Sequence, residues 1–181
     1  MKFILFDVEA TCWDGYHSNE IQEIIELGAI AVNRFGELTD KYEQMVQPVI
    51  NPRLSHYCRK LTGIGQNEVD HAPVFEEVYP DFEYWVNPDV DTWFISWGSF
   101  DQDIMNDECK RNGEDRSMIR NHLDLRKSYT SKKELPPKTT GLVKALEYEE
   151  LEFEGVQHRA LPDTENMGVL FLRYFDYWDF S

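Results

Sequence analysis

Apolar and polar positions alternate strongly near the start of the chain and then settle into helical spacing. Residues 4 to 13 read ILFDVEATCW, an apolar run that ends in two carboxylates, Asp7 and Glu9, and continues through a threonine, a cysteine and a tryptophan. Successive side chains of a strand point to opposite faces, so Asp7 and Glu9 share one face, close enough to hold a single cation. A turn-rich loop, TCWDGYHSNE, separates this strand from IIELGAIAVN at 24–33, a β-like run of Ile, Ala and Val. RFG at 34–36 suits a hairpin turn into ELTDKYEQMVQP at 37–48, where alternation and the terminal Pro48 predict a third strand. The three strands are expected to be antiparallel.

From residue 51 the pattern changes. Pro and Gly punctuate the segment, and Val74, Val78, Phe82 and Trp85 recur at helical spacing, which predicts two helices separated by a turn. DTWFISW at 91–97 reads as a short strand, and GSFDQDIMNDECKRNG after it as a helix with Ser99 in a cap-like position. A strand-to-helix corner therefore falls near Asp101. MIRNHLDL at 118–125 is expected to be a last short strand and Thr139 to Leu146 a short helix. In the final stretch Met167, Leu170, Phe171, Tyr174 and Trp178 form one helical stripe, read as core packing. Hairpin strands followed by alternating helices and strands imply an α/β fold, a mixed sheet flanked by helices.

Composition narrows this picture. With 181 residues, 41% of them hydrophobic, residues 1–181 are expected to fold as a single domain around one core. The apolar start, Phe3 to Phe6, is too short for a signal peptide or a membrane span, which predicts a cytoplasmic protein with no membrane partner. Cys12, Cys58 and Cys109 are odd in number and lack CxxC spacing, so neither a disulfide framework nor a zinc site is suggested. Nothing in the pattern specifies an oligomeric state.

Charge is unevenly distributed. The formal net charge of −16 argues against a polyanionic partner, because phosphate backbones gain affinity from Lys and Arg. Residues 110–144, however, carry Lys110, Arg111, Arg116, Arg120, Arg126, Lys127, Lys132, Lys133, Lys138 and Lys144 against only Glu114, Asp115, Asp124 and Glu134. This segment reads either as an ordinary solvated helical face or as a surface turned toward a polyanion.

The candidate chemistry lies in the carboxylates. Asp7 and Glu9 end the first strand, Asp101 sits at the strand-to-helix corner, and Asp163 follows Pro162 at the expected start of the last helix, with His158 five residues before it. Strand ends and helix starts gather at the functional edge of α/β sheets, so these groups can meet in one cleft. A carboxylate cluster without matching cations repels itself, and hard divalent ions such as Mg²⁺ or Mn²⁺ neutralise it with oxygen ligands. Histidine, titrating near neutrality, can take a proton from water.

Three motifs carry a resemblance to a known family. FDVEAT, SWGSFDQD and HRALPD are similar to the three motifs of the DEDDh 3′-5′ exonucleases, enzymes with a ribonuclease H-like fold and a five-stranded mixed sheet. NPRLSHYCRKLTGIGQNEVDHAPVF resembles the matching segment of the subgroup that contains the histone-mRNA and RNA-interference 3′ exonucleases and bacterial sporulation-inhibitor relatives. The resemblance implies two divalent ions, Mg or Mn, held by Asp7, Glu9 and Asp163, with Asp101 acting at the second ion through water and His158 as general base. Asp103 is a rival to Asp101, which alone fits the aromatic-then-Asp pattern. The resemblance further implies substrate contacts at Ala10, Thr11 and Cys12, a wedge at Leu61 to Ile64, and stacking surfaces at Trp13 and Trp97. The implied partners are the 3′ ends of single-stranded RNA or DNA, and the subgroup favours RNA.

Two other function classes stay in view. An acid pair after an apolar strand also resembles an aspartyl-phosphate phosphatase, but that chemistry requires Asp at the position of Glu9. The third possibility is a non-catalytic module that uses a nuclease fold to bind a partner.

Overall fold

The computed structural model describes residues 1–15, 20–136 and 140–180. Lys138, the predicted helix start at Thr139 and part of the loop after the first strand lie outside them. The elements are β1 (Lys2–Ala10), β2 (Ile24–Asn33), β3 (Leu38–Met45), α1 (His56–Thr62), α2 (Gln66–Asp70), α3 (Phe75–Val86), β4 (Thr92–Ser96), α4 (Phe100–Asn112), β5 (His122–Asp124), α5 (Leu125–Lys132), α6 (Leu142–Tyr148) and α7 (Ala160–Arg173). Five strands form one sheet in the order β3-β2-β1-β4-β5. β1, β2 and β3 are antiparallel, as their hairpin pattern predicts, while β4 pairs parallel to β1 and β5 parallel to β4. Among the described residues no helix is long and apolar enough to cross a membrane.

The β2–β3 connection shows how local chemistry sets the turn. The Asn33 side-chain oxygen accepts from the N–H groups of Phe35 and Glu37 at 2.9 and 3.1 Å, and Gly36 takes φ +76°, which glycine adopts without a Cβ penalty.

Each face of the sheet is closed by its own helices. On one side Ile4, Phe6 and Val8 of β1 meet α3 and α4 through Val78, Phe82, Ile104 and Met105. On the other, Phe3 and Leu5 of β1 and Ile30 and Val32 of β2 meet α7 through Met167, Leu170 and Phe171. Full burial of such side chains contributes roughly 1.5–3 kcal/mol each. Strand alternation then continues the second face into Asp7 and Glu9, so a packed core turns into a row of acids along one strand.

The fold departs from the sequence pattern at several points. The predicted strand at 118–125 is only three residues long, His122–Asp124, because Asp124 ends it and caps α5 by accepting the Lys127 N–H at 2.8 Å. The segment predicted as two helices holds three, broken after Gly63, which takes φ +73°, and again before α3. Ser99 precedes α4 without a side-chain capping bond. The last helix stops at Arg173. Tyr174 and Trp178 lie beyond it, where Trp178 returns to the core by donating its indole N–H to the Phe171 carbonyl at 2.8 Å.

Candidate active site

Two strands place acids at one level. Glu9 of β1 lies opposite Glu26 of β2, Asp7 lies opposite Gly28, and the register shifts just beyond, between Glu9 and Ala10. Gly28 lets the start of α7 press onto the sheet: a Cβ there would fall 2.3 Å from backbone atoms of Ala160 and Leu161. Glu26, fully buried, accepts from Arg159 Nη2 at 2.6 Å, from Arg159 Nε at 2.9 Å and from the Ala160 N–H at 2.9 Å. The Thr164 hydroxyl adds a bond to the Gly28 carbonyl at 3.1 Å. Clamped this way, the first turn of α7 carries Asp163 over the end of β1.

The result is a compact oxygen cluster. One carboxylate oxygen from each of Asp7, Glu9 and Asp163 lies within 4.8 Å of the others. Asp101 stands beside this triad and outside it. β4 pairs with β1 only as far as Leu5, and past that point the Asp101 carboxylate accepts the Val8 N–H at 3.3 Å. Asp101 is buried, and its charge is the strongest of those acting on Asp7, whereas Asp103 is exposed; the geometry separates the two rivals.

Electrostatics mark the cluster as uncompensated. Burial, then the charges of Asp101, Asp163 and Glu9, push Asp7 well above the usual carboxylate range. Burial and Asp163 push Glu9 up to about 8. Burial raises Asp101 to about 7 against the bond from Val8, and raises Asp163 to about 6 against the nearby His158. Desolvated carboxylates that repel one another hold protons unless a cation replaces them. A donor set of hard oxygens with no ion-paired Lys or Arg among the described residues suits a hard divalent ion.

His158 is exposed on the loop leading into α7, with φ +60°, a left-handed conformation that few non-glycine residues adopt. Its backbone N–H and that of Arg159 bond to Asp163 and favour the ionised carboxylate. The loop thus brings the histidine and Asp163 into one electrostatic unit.

The expected substrate contacts scatter more widely. Ala10 is buried in the core, and the Thr11 hydroxyl accepts the Glu23 N–H at 3.0 Å. Cys12 donates its thiol to Cys58, a contact that raises Cys12 and brings Cys58 down to about 7. Ile64 is fully enclosed with Ile25, Leu54 and Val69 and offers no surface to a base, while Leu61 stays half-buried. Trp97 packs on Tyr129 at 5.8 Å between ring centroids, with its indole N–H buried and without an acceptor. Trp13 is half-buried in the loop after β1.

Much of the basic segment serves the fold. Arg111 pairs with Glu108 at 2.9 Å and Lys133 with Glu149 at 2.8 Å, while Lys132 and Lys144 lie over the rings of Tyr177 and Tyr148. Of Glu26, Arg159 and Gly28, the residues that hold α7 in place, Glu26 and Gly28 belong to none of the three motifs and Arg159 lies within HRALPD. A lone acid inside the apolar run IIELGAIAVN was the available signal for Glu26.

A family profile described as exonuclease, RNase T, matches residues 4–171. The chain belongs to this exonuclease family. Two curated relatives are 3'-5' exoribonuclease 1 of Rattus norvegicus, 30% identical over 93% of this chain, and the 3'-5' exonuclease Snipper of Drosophila melanogaster, 31% identical over 92%. The chain spans 51% of the first and 66% of the second. Among solved structures, the nuclease domain of 3'hExo, a DEDDh family member bound to rAMP, superposes with a TM-score of 0.90 at 28% identity, covering 97% of this chain and 92% of that one. The family's ribonuclease H-like architecture is therefore the fold of this chain.

Proposed function

We propose that this chain is a metal-dependent 3′-5′ exonuclease that removes nucleoside 5′-monophosphates from single-stranded nucleic acid, RNA in preference to DNA. The observation that carries the reading is the tight oxygen triad of Asp7, Glu9 and Asp163, without a Lys or Arg ion pair among the described residues and set beside a fourth buried acid, Asp101. Asp7, Glu9 and Asp163, with Asp101 at one side, would hold two divalent ions, Mg²⁺ or Mn²⁺, which when bound supply charge neutralisation and hold the attacking and leaving oxygens in line.

The chain's own groups supply the rest. His158, exposed at the rim beside Asp163, takes the proton from the attacking water as general base. Arg159 and Glu26 keep Asp163 facing Asp7, so the acids need no rearrangement when charge develops. Leu61 and Trp97, both half-buried, are the accessible candidates for holding the terminal base; aromatic stacking contributes roughly 1–3 kcal/mol per base and tolerates any sequence. The preference for RNA is supported by the exoribonuclease name of the rat relative.

Short 5′-labelled RNA and DNA oligonucleotides with Mn²⁺ or Mg²⁺ test the reading. The expected outcome is a ladder shortened stepwise from the 3′ end, faster on RNA, and lost in both Asp7→Ala and His158→Ala. A partner-binding module on a nuclease fold would leave every oligonucleotide intact with either metal.

A further inference from the structure

Arg126 and Arg159 are both half-buried. Their surroundings differ. Arg159 spends its guanidinium on Glu26, whereas the Arg126 guanidinium has no carboxylate within ion-pair distance and donates no hydrogen bond among the described residues. Yet Arg126 is fixed in place. It occupies the first turn of α5, a helix capped by Asp124 and anchored by the fully buried Leu125 and Tyr129. Its guanidinium lies directly against the backbone of Gly98: a Cβ there would fall 2.7 Å from Nη2 and 3.0 Å from Cζ. Gly98 has φ +109°, so glycine is required at this corner both for the turn and for the approach of the arginine. The corner leads straight into α4 and Asp101, whose ionised form the charge of Arg126 favours.

A preorganised fork of donors stands, unsatisfied, at the edge of an acid site. Guanidinium groups match the paired oxygens of a phosphate, and holding one on a rigid helix limits the entropy lost on contact. The cluster of Asp7, Glu9 and Asp163 takes the phosphate that is cut; Arg126, beyond ion-pair distance from these acids, is placed for another phosphate of the same strand. The geometry points to Arg126 as a strand-positioning residue that grips the phosphodiester one linkage in from the one cleaved, through the non-bridging oxygens. This inference rests on the exonuclease reading above.

The test compares wild type, Arg126→Met and Arg126→Lys with Mn²⁺ on a single-stranded oligonucleotide, either unmodified or carrying one neutral methylphosphonate at the second linkage from the 3′ end. Loss of a charge-assisted contact predicts that Arg126→Met raises KM about 10- to 100-fold with kcat little changed, and that Arg126→Lys recovers part of the loss. The slope of log affinity against log salt should flatten by about 0.7, the value for one phosphate on a single strand. The methylphosphonate should cost wild type a similar factor and Arg126→Met almost nothing. Equal methylphosphonate penalties in both proteins, or a loss in kcat alone, would overturn the inference and leave Arg126 as a support for Asp101. A wild type that shortens neither oligonucleotide would remove the exonuclease reading and this inference with it.

Discussion

Glu149 and the Asp7 cluster are both buried acids, and they are treated in opposite ways. Glu149 accepts from Tyr129 at 2.7 Å, from Lys133 at 2.8 Å, from Arg173 at 3.3 Å and from the Tyr174 hydroxyl. Burial pushes its acidity one way, and these donors more than reverse it, leaving Glu149 at about 2. Asp7, Glu9 and Asp163 have no Lys or Arg ion pair among the described residues; Asp163 has only two backbone N–H donors and the nearby His158, too little to offset burial, and all three are driven upward. The fold therefore has the means to satisfy a buried carboxylate and withholds them at one place. An acid that the chain compensates belongs to the architecture, and one that it leaves uncompensated awaits a cation from outside.

Activity separates the two regions most strongly. Asp7→Asn removes a charge the proposed cations need, and a drop of at least about 10³-fold in exonuclease rate is expected, some 4 kcal/mol of transition-state stabilisation. Thermal unfolding of the same variant in EDTA should show a stability equal to or above wild type, because self-repulsion falls. A marked loss of stability would class Asp7 with Glu149.

Glu149→Ala should do the reverse. Stranding Tyr129, Tyr174 and Lys133 around an empty site is expected to cost about 3–5 kcal/mol in urea unfolding, while the surviving folded protein keeps its Mn²⁺ affinity.

The two regions also predict opposite pH dependence. Glu9, Asp101 and Asp163 are raised to about 8, 7 and 6, so their protonated forms favour the folded state. That contribution is complete below the unfolded carboxylate values near pH 4 and is lost as pH climbs through 6 to 8. Unfolding in EDTA should thus show stability falling by on the order of 4 kcal/mol between pH 6 and 8.5. Saturating Mn²⁺ should reverse the trend, since the ion binds the deprotonated acids. Glu149, lowered to about 2, contributes above the usual carboxylate range and loses its stabilisation only as pH falls from about 4 toward 2. The smallest effect is Lys133→Met, which leaves Arg173 and both tyrosines on Glu149; a loss of about 1 kcal/mol in the same unfolding assay is expected.

Legibility in the sequence followed the range of the interactions. The antiparallel hairpins, the turn at 34–36 and the strand-to-helix corner before Asp101 depend on neighbours a few residues apart, and their patterns predicted them. The shift from the short β5 to α5 was missed because HLDL reads as a strand until Asp124 is seen capping the next turn. Ile64 looked available as a wedge in LTGI, but three elements close over it. The basic segment looked like a surface for polyanions, and pairing with Glu108, Glu149 and aromatic rings accounts for several of its cations.

Local pattern is enough to pick out the groups that can do chemistry: strand alternation puts Asp7 and Glu9 on one face, and the spacing of His158 to Asp163 bridges a loop and one helical turn. That these acids meet in one site, with no Lys or Arg ion pair among the described residues, follows from packing across the whole chain. Their convergence rests on contacts between residues more than a hundred positions apart, the Glu26–Arg159 clamp and the close approach of α7 at Gly28. Local periodicity encodes a side chain's direction along its own element, whereas the desolvation and repulsion that shift a carboxylate depend on what packs over it from the rest of the chain.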